Sequence, residues 1–441
     1  MESLEGHRAQ TTGVPVSKAR MWHGPDRSYA SRMTTFRVDV DPSEVGMSRS
    51  RLDRLDQHFR HYVDDGRLAG WLLAVARDGK LAHVADHGMR DRETGAPVDS
   101  DTVWRLASMT KPVTSVAAMM LYEEGAFELK DPVSKWIPCF ADMHVYRSGS
   151  HLKPELRPAS EPIRIWHLLT HTSGLTYGFQ YAHPVDAMYR AAGFEWGNPP
   201  GVDLAGCCEL WAAQPLLFDP GSEWNYGVST DVLGRLVEVI SGQSLDSFFR
   251  ERIFSPLGMV DTGFDAAASV DRLAAAYVAN PAGSGSPPVR IPGTPPVSPP
   301  DMLSGGGGLL GTAADYLRFS EMLRRGGELD GVRLLSPRTV SYMTTNHLPG
   351  GVDLEEFGRP LFSETTFDGV GFGLGVSVVT DPQAGKVLTS VGEYGWGGAF
   401  STSWWVAPRE DLSVLFFTQL LPSSAHPIRS QLRQLVYSAL L

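Results

Sequence analysis

Segments with the pattern of β-strands lie at both ends of the 441-residue chain. Near the N-terminal end, the apolar runs 71–76 and 81–85 flank Asp78-Gly79, a dipeptide typical of a tight hairpin turn. A third short strand is predicted at 103–107. Four further strands are predicted near the other end, at 372–379, 386–391, 400–406 and 412–419. Strands at both ends with helices between them favour a single sheet to which both termini contribute.

Helical periodicity predicts the segments that flank and interrupt this sheet. Apolar residues recur at three- and four-residue spacing over 48–62, and a helix over 108–124 ends at Gly125. Further helices are predicted at 165–170, 230–240, 244–253, 313–324 and 428–440. The predicted fold class is α/β, an α+β sandwich in which helices flank an antiparallel sheet and a mostly helical domain is inserted.

This pattern predicts three parts of the chain. Residues 1–33 are polar and form a flexible N-terminal tail, without the apolar region of a signal peptide. Residues 34–128 and 330–441 form the α/β domain, and residues 129–329 form a helical domain with long loops.

Composition excludes several classes of function. The 39 Lys and Arg against 50 Asp and Glu give a net charge of −11, and no basic run suggests a nucleic-acid partner. No apolar run approaches the roughly 20 residues that span a bilayer, so no membrane association is expected. Cys139, Cys207 and Cys208 contain no CxxC pair, which predicts reduced thiols in a cytoplasmic protein. We expect no metal and no cofactor, and the sequence leaves the oligomeric state open.

The motif that points to chemistry is SxxK at Ser108 and Lys111. A three-residue offset places both side chains on one face of a helix, and Pro112 places the helix start close to Ser108. Lys111 lies in an apolar helix, where desolvation favours the neutral amine that can act as a base for serine. The structural alternative is that Ser108 only caps the helix while Lys111 extends to water. A second SxxK, at 150–153, lies in a polar segment and is interpreted as chance.

Two other features are interpreted structurally. The run Ser304-Gly-Gly-Gly-Gly lacks the GK[ST] ending of a phosphate-binding loop, which favours a tight backbone crossing. The histidine of the sequence HTSG, His171, is interpreted as support for the site. A set of aromatic residues is predicted either to line a pocket or to pack the helical domain: Tyr177, Phe179, Tyr181, Tyr189, Trp196 and Trp211.

Three motifs in order extend this interpretation: WRLASMTKP at 104–112, LLTHTSGL at 168–175 and PGSEWNY at 220–226. Together they resemble the serine β-lactamase and penicillin-binding-protein superfamily, in its class C-like branch, and most of all the family VIII carboxylesterases. The resemblance extends from about residue 48 to the end of the chain. It implies a β-lactamase/transpeptidase-like fold, an acylated nucleophile at Ser108, its partner Lys111, and a phenolic base at Tyr226. The alternative for Tyr226 is a core aromatic residue.

Two departures from the superfamily pattern bear on the substrate. The third position of the Tyr-x-Asn motif is Val228, and Trp396-Gly397-Gly398 stands where β-lactamases have Lys-Thr-Gly. Tryptophan supplies an apolar wall and one N–H rather than a positive charge, which suits neutral esters better than a penicillin carboxylate. The resemblance also implies an oxyanion hole formed by the amides of Ser108 and Ala399, and substrate contacts from Trp396, Gly397, Gly398 and Tyr177.

The sequence therefore predicts a serine carboxylesterase acting on a small-molecule, short-chain ester through an acyl-enzyme on Ser108. Three alternatives stay open: an acyltransferase on the same scaffold, a β-lactamase or peptidase, and a non-catalytic binding module. Intact Ser108, Lys111 and Tyr226 disfavour the binding module.

Overall fold

The two ends of the chain pair directly with each other. In the computed structural model, which describes residues 36–265, 267, 269–280, 286–292, 300–359 and 366–441, Gly70–Arg77 lies antiparallel to Leu412–Phe417. The strands are β1 (Gly70–Arg77), β2 (Lys80–Asp91), β3 (Ala96–Pro97), β4 (Trp104–Arg105), β5 (His144–Ser150), β6 (Lys153–Pro158), β7 (Tyr277–Val278), β8 (Val289–Arg290), β9 (Leu310–Gly311), β10 (Glu328–Leu329), β11 (Val332–Arg333), β12 (Val370–Phe372), β13 (Ser377–Val379), β14 (Tyr394–Gly397), β15 (Ser403–Ala407), β16 (Leu412–Phe417) and β17 (Leu420–Leu421).

Within the described residues, eight strands form the central sheet in the order β12-β13-β14-β15-β16-β1-β2-β3. Every neighbouring pair is antiparallel. The predicted antiparallel sheet built from both ends of the chain is therefore confirmed. This order places the carboxyl end of β14, which carries Trp396 and Gly397, inside the sheet rather than at its edge.

Helices cover both faces of this sheet and fill the middle of the chain. They are α1 (Arg49–Asp64), α2 (Thr110–Glu123), α3 (Ile165–Leu169), α4 (Pro184–Ala191), α5 (Leu204–Ala212), α6 (Ser229–Ser241), α7 (Leu245–Phe249), α8 (Ser255–Leu257), α9 (Ala313–Arg324), α10 (Pro337–Met343), α11 (Leu354–Phe357), α12 (Pro382–Gly385) and α13 (Ile428–Ser438).

Successive side chains of β15 point to opposite faces of the sheet, and their contacts show which helices cover each face. Trp405 packs with Phe59 of α1 and Leu432 of α13 in one buried core. The preceding residue, Trp404, points to the opposite face, where its Nε1 donates to Ser320 Oγ of α9 at 2.7 Å. The sheet is therefore enclosed between helices on both sides, as the predicted sandwich requires.

The strand prediction was wrong at two places near the C-terminal end. Residues 372–379 form two antiparallel strands rather than one, because Gly375 (φ 92°) turns the chain and the Gly373 amide donates to Val376 O at 2.8 Å. Residues 386–391 form no strand, because the Asp381 side chain caps a helical turn at Pro382–Gly385.

One hairpin of the structure was not predicted from the sequence. The hairpin of β5 and β6 lies in the region predicted to be mostly helical, and its polar sequence carries no alternation that predicts strands.

The predicted tail, 1–33, lies outside the described residues. Residues Val38–Leu441 form one compact unit, and the division into an α/β and a helical domain stays a prediction. Within the described residues, no helix is both long and apolar enough to cross a membrane.

Helix α3, which leads into the HTSG segment, carries a buried histidine. His167 is 4% exposed, and its Nδ1 accepts a hydrogen bond from the Arg164 amide at 3.1 Å. Burial, together with the nearby charge of Arg164, lowers the pKa of His167 to about 4. His167 is therefore neutral in the folded protein under conditions in which the unfolded chain binds a proton.

We expect the His167→Gln variant to be less sensitive to acid than the wild type. The pKa of His167 is below 6.5 in the folded state, so its protonation favours the unfolded chain between pH 6.5 and 4 and costs up to about 1.4 kcal/mol per pH unit. Urea unfolding at pH 7, 6 and 5 would show a shallower fall in the free energy of unfolding for His167→Gln. The exposed His151→Gln variant is the control, and an unchanged slope in His167→Gln would contradict the assignment.

Candidate active site

The local fold brings Ser108 and Lys111 together. Ala107–Met109 forms a 3-10 turn that continues into α2, and Ala107 has a left-handed conformation (φ 47°) unusual for a residue with a side chain. Lys111 is 1% exposed, and its Nζ lies 3.3 Å from Ser108 Oγ. The alternative in which Lys111 extends to water is therefore wrong.

The buried amino group of Lys111 has two further partners. Nζ donates to Gly306 O at 2.7 Å and to Tyr177 OH at 3.1 Å. It also lies 4.5 Å from the centroid of the Tyr226 ring, a distance at which a cation is attracted to the π face. Burial raises the pKa of the Tyr177 phenol well above its usual value, so this hydroxyl stays protonated beside Lys111.

The glycine run at 304–308 forms a loop that approaches two helices closely. A Cβ on Gly305 would lie 2.8 Å from Thr230 O of α6, and one on Gly306 would overlap the carboxylate of Asp231. From α2, Thr114 Oγ1 donates to Gly305 O at 2.7 Å. The predicted tight backbone crossing is confirmed, and its result is that Gly306 O reaches Lys111.

Asp231 holds this loop in place. The side chain is 3% exposed, and its Oδ1 accepts from Ser304 Oγ at 2.5 Å and from the Gly306 amide at 2.9 Å. Burial raises the pKa of Asp231, while the charge of Lys111 and these hydrogen bonds oppose the increase. Asp231 is therefore connected to Lys111 through one residue, Gly306, whose amide donates to Asp231 and whose carbonyl oxygen accepts from Lys111.

Tyr226 lies on the other side of Lys111, next to Trp396. Trp396 Nε1 donates to Tyr226 OH at 3.0 Å, and the two ring centroids are 5.4 Å apart. Within the described residues, no hydrogen bond joins the Tyr226 hydroxyl to Ser108 or Lys111. Hydrogen bonds between catalytic groups are often long in unliganded enzymes, so this geometry is compatible with a proton-transfer role.

The end of β14 lies against the nucleophile turn. A Cβ on Gly398 would lie 2.6 Å from Leu106 O, so only glycine allows this approach. The Gly398 amide is itself bonded to Thr402, at 3.0 Å to Oγ1. The next amide, that of Ala399, has no acceptor within the described residues. It is therefore available for an oxyanion close to Ser108.

Next to this group of residues lies one cleft of about 1070 Å³. All six aromatic residues that the sequence analysis singled out line it, together with Ser108, Tyr226 and 396–399. Two arginines also line the cleft, although the position of the Lys-Thr-Gly lysine is held by Trp396. Arg433 pairs with Glu393 at 2.7 Å, and Arg429 donates to Gly398 O at 2.8 Å.

His171 packs against the base candidate rather than facing the cleft. It is fully buried, with its ring 4.9 Å from the Tyr226 ring and 5.6 Å from that of Phe372. Burial lowers the pKa of His171 well below its usual value, and the charge of Lys111 lowers it further. The ring is therefore neutral, which fits the predicted supporting role.

The structure places every predicted site residue on the lining of this cleft except Lys111, which is buried and contacts Ser108 and Tyr177, and their chemical roles stay predictions. Sequence reasoning missed Asp231 and the carbonyl of Gly306. A carboxylate within the apolar helix 230–240, five residues after Tyr226, was the signal that could have identified Asp231. Within the described residues, no group of three or more His, Cys, Asp or Glu side chains is arranged to hold a metal ion.

Comparison with known proteins identifies the family of this chain. The model of the family "Beta-lactamase" matches residues 55–438. Protein Rv1367c of Mycobacterium tuberculosis is 39% identical over 377 residues, covering 84% of this chain and 90% of the relative. Esterase EstB of Burkholderia gladioli is 33% identical over 421 residues, covering 91% and 99%. Among solved structures, that of EstCE1, "a hydrolase with promiscuous acyltransferase activity", has a TM-score of 0.74 at 29% identity, covering 90% and 99%.

The fold and these relatives define an enzyme of the serine hydrolase and acyltransferase type on a β-lactamase/transpeptidase-like scaffold. The chain belongs to the beta-lactamase family, in the part of the serine β-lactamase and penicillin-binding-protein superfamily close to the family VIII esterases.

We expect Asp231→Ala to impair activation of Ser108. Without the carboxylate, the 304–308 loop loses two hydrogen bonds, and Gly306 O shifts away from Lys111. A displacement of this kind can lower the rate of reaction at Ser108 about 100-fold. The measurement is the second-order rate constant for labelling of Ser108 by a fluorophosphonate. Asp231→Asn retains an acceptor oxygen, so its labelling rate constant should fall about tenfold. Ser304→Ala removes one hydrogen bond, so its labelling rate constant should fall about fivefold. Wild-type labelling by a folded Asp231→Ala protein would contradict this role.

Proposed function

We propose that this protein is a serine carboxylesterase that hydrolyses short-chain, neutral carboxylic esters through an acyl-enzyme on Ser108. The observation that carries the proposal is the fully buried Lys111, whose Nζ lies 3.3 Å from Ser108 Oγ in an apolar, aromatic-lined cleft. The reaction as proposed needs no metal or organic cofactor.

In the acylation step, Ser108 Oγ attacks the ester carbonyl carbon while Lys111 and Tyr226 take up the hydroxyl proton. The carbonyl oxygen becomes an oxyanion, to which the amides of Ser108 and Ala399 donate; each such donor is worth about 3 kcal/mol in related chemistry. The tetrahedral intermediate then breaks its bond to the alcohol oxygen, which receives the proton from the same pair.

Deacylation repeats this sequence with water as the nucleophile. Water gives a proton to the Lys111–Tyr226 pair and attacks the acyl carbon. Collapse of the second intermediate returns the proton to Ser108 Oγ and releases the carboxylic acid. The buried, protonated phenol of Tyr177 keeps one donor position of Lys111 occupied throughout, which limits the directions in which its proton can leave.

The wall around Trp396 supports a neutral substrate. Its indole is packed by Phe367, with ring centroids 6.1 Å apart, and by Phe372, at 5.4 Å. An apolar surface therefore occupies the place where β-lactamases have the lysine of Lys-Thr-Gly. The esterase name of the Burkholderia gladioli relative agrees with this class of substrate.

An acyltransferase is the second candidate. The cleft of about 1070 Å³ is at the upper end of small-molecule sites and exceeds what a short acyl group needs. An alcohol bound there would replace water in deacylation, and the EstCE1 title describes such promiscuity for that hydrolase. A β-lactamase or peptidase is disfavoured by Trp396, and a binding module by the intact Ser108 and Lys111.

A cytoplasmic location is part of the same proposal. It rests on the three cysteines, Cys139, Cys207 and Cys208, all of which are free thiols. Reduced thiols without a disulfide are typical of the cytoplasm.

We expect Ser108→Ala and Lys111→Met each to lower kcat/KM for p-nitrophenyl butyrate by about 10³-fold or more, because each removes part of the nucleophile unit. Burst and steady-state kinetics would measure this. The second SxxK supplies matched controls, since Ser150→Ala and Lys153→Met alter exposed residues of a hairpin and should leave turnover unchanged.

Three substrates measured in parallel test the class of substrate. We expect wild-type protein to cleave nitrocefin poorly and to prefer ethyl butyrate over the anionic monoethyl succinate by at least about tenfold, a difference of about 1.4 kcal/mol. Fast nitrocefin turnover would contradict the argument from Trp396. A preference for the succinate would indicate that the Arg429 guanidinium binds substrate carboxylates.

We expect Trp396→Phe to lower kcat/KM for p-nitrophenyl butyrate about fivefold. This variant retains the aromatic wall but removes the Nε1 hydrogen bond to Tyr226 OH, a contact worth about 1 kcal/mol. If Tyr226 takes part in proton transfer, the pH dependence of kcat/KM should change as well. Unchanged kinetics in Trp396→Phe would show that the indole N–H plays no part in acylation.

A further inference from the structure

Three aromatic rings form a continuous stack along the cleft. The centroids of Tyr177 and Phe179 are 4.7 Å apart with an interplanar angle of 18°, and those of Phe179 and Trp196 are 5.2 Å apart at 6°. All three side chains line the cleft that contains Ser108. The stack therefore connects the catalytic centre with the cleft opening.

The two ends of the stack differ in exposure. At the inner end, the Tyr177 hydroxyl is bonded to Lys111. At the outer end, Trp196 is 67% exposed, although one face of its indole is covered by Phe179. A large aromatic side chain that is exposed within a ligand cleft is typical of a binding surface, because aromatic surface left in water costs free energy that a bound apolar group recovers.

We propose that Tyr177, Phe179 and Trp196 form a subsite that binds a flat, apolar ring system in the alcohol half of the ester. This inference rests on the proposed function, to which it adds the class of alcohol. The near-parallel rings favour a planar group, since offset stacking on an indole contributes beyond the area that is buried.

The position of the proton donor assigns the stack to the alcohol half. The alcohol oxygen must receive its proton from Lys111 or Tyr226 when it leaves. Tyr177 contacts both, with its hydroxyl 3.1 Å from Lys111 Nζ and its ring centroid 5.6 Å from that of Tyr226. A group attached to the leaving oxygen therefore begins beside Tyr177, and the stack continues from there toward solvent. In acyl transfer, the acceptor alcohol would occupy the same subsite.

Further side chains of the cleft suit an uncharged group. Val278, Met302 and Leu421 also line it and supply apolar surface. Next to Trp196, the Glu195 carboxylate accepts a hydrogen bond from the Tyr181 hydroxyl. A carboxylate at this position disfavours an anionic substituent on the bound ring.

The first experiment measures binding without turnover. In a Ser108→Ala background, dissociation constants would be determined by calorimetry for 2-naphthol and for decahydro-2-naphthol, its saturated and non-planar analogue. We expect Trp196→Ala to raise the dissociation constant of 2-naphthol about three- to tenfold. The dissociation constant of the saturated analogue should change by less than about twofold. Trp196→Phe, which retains a ring on Phe179, should weaken 2-naphthol less than Trp196→Ala does. Equal effects on both alcohols would overturn the stacking subsite.

The second experiment assigns the half of the ester. In otherwise wild-type protein, Trp196→Ala should lower kcat/KM for 2-naphthyl butyrate about three- to tenfold. The kcat/KM values for ethyl butyrate and ethyl 2-naphthoate should stay within about twofold of those of the wild type. A loss confined to ethyl 2-naphthoate would place the stack on the acyl half and overturn the assignment. The control is Tyr342→Ala, an exposed aromatic residue that does not line the cleft.

The outcomes separate this inference from the proposed function. If Ser108→Ala binds 2-naphthol through Trp196 while the wild type hydrolyses no ester, the esterase proposal fails and the subsite stands. If esters are hydrolysed but Trp196→Ala affects all of them equally, the subsite fails alone. Loss of a wild-type dimer in Trp196→Ala, with unchanged naphthol binding, would identify the exposed indole as a protein contact and overturn the subsite.

Discussion

The burial of the Lys111 side chain determines the construction of the site. An amino group in a residue with 1% exposure is stable only when hydrogen-bond partners replace water, and these partners come from distant parts of the chain. Gly306 O, Tyr177 OH and Ser108 Oγ lie within hydrogen-bond distance of Nζ, and the π face of Tyr226 lies beside them. The proposed nucleophile, Ser108, is therefore one member of the group that replaces water around the proposed base.

The sheet supplies the second half of the site because it is built from both ends of the chain. Pairing of β1 with β16 leaves two strands, β15 and β16, between β14 and the N-terminal hairpin, and β14 lies beside the turn that carries Ser108. Glycine at position 398 then allows the backbone to approach Leu106 O, and Ser108 and Ala399 line the same cleft. The proposed chemistry thus depends on a backbone approach that a side chain at this position would prevent.

The sequence predicted the parts of the site that depend on local spacing or on ordered motifs. Ser108 and Lys111 follow from helical periodicity, and Tyr226 and Trp396 follow from the resemblance. Asp231 was missed because its contact with Lys111 runs through Gly306, 195 residues from Lys111 in sequence, and no local pattern indicates such a contact. The strand at 394–397 was missed for a related reason, since Gly395 and Gly397 carry no apolar alternation and pairing with β13 and β15 holds this segment extended.

The two tyrosines beside Lys111 show how the environment separates chemically identical groups. The Tyr177 hydroxyl accepts a hydrogen bond from Lys111, and burial, with the negative charge of Asp231 nearby, keeps it protonated. The Tyr226 hydroxyl instead accepts from Trp396 Nε1 and has no hydrogen bond to Lys111 within the described residues. Tyr177 therefore holds Lys111 and begins the aromatic stack, whereas Tyr226 is the tyrosine left for the proton-transfer role that we propose.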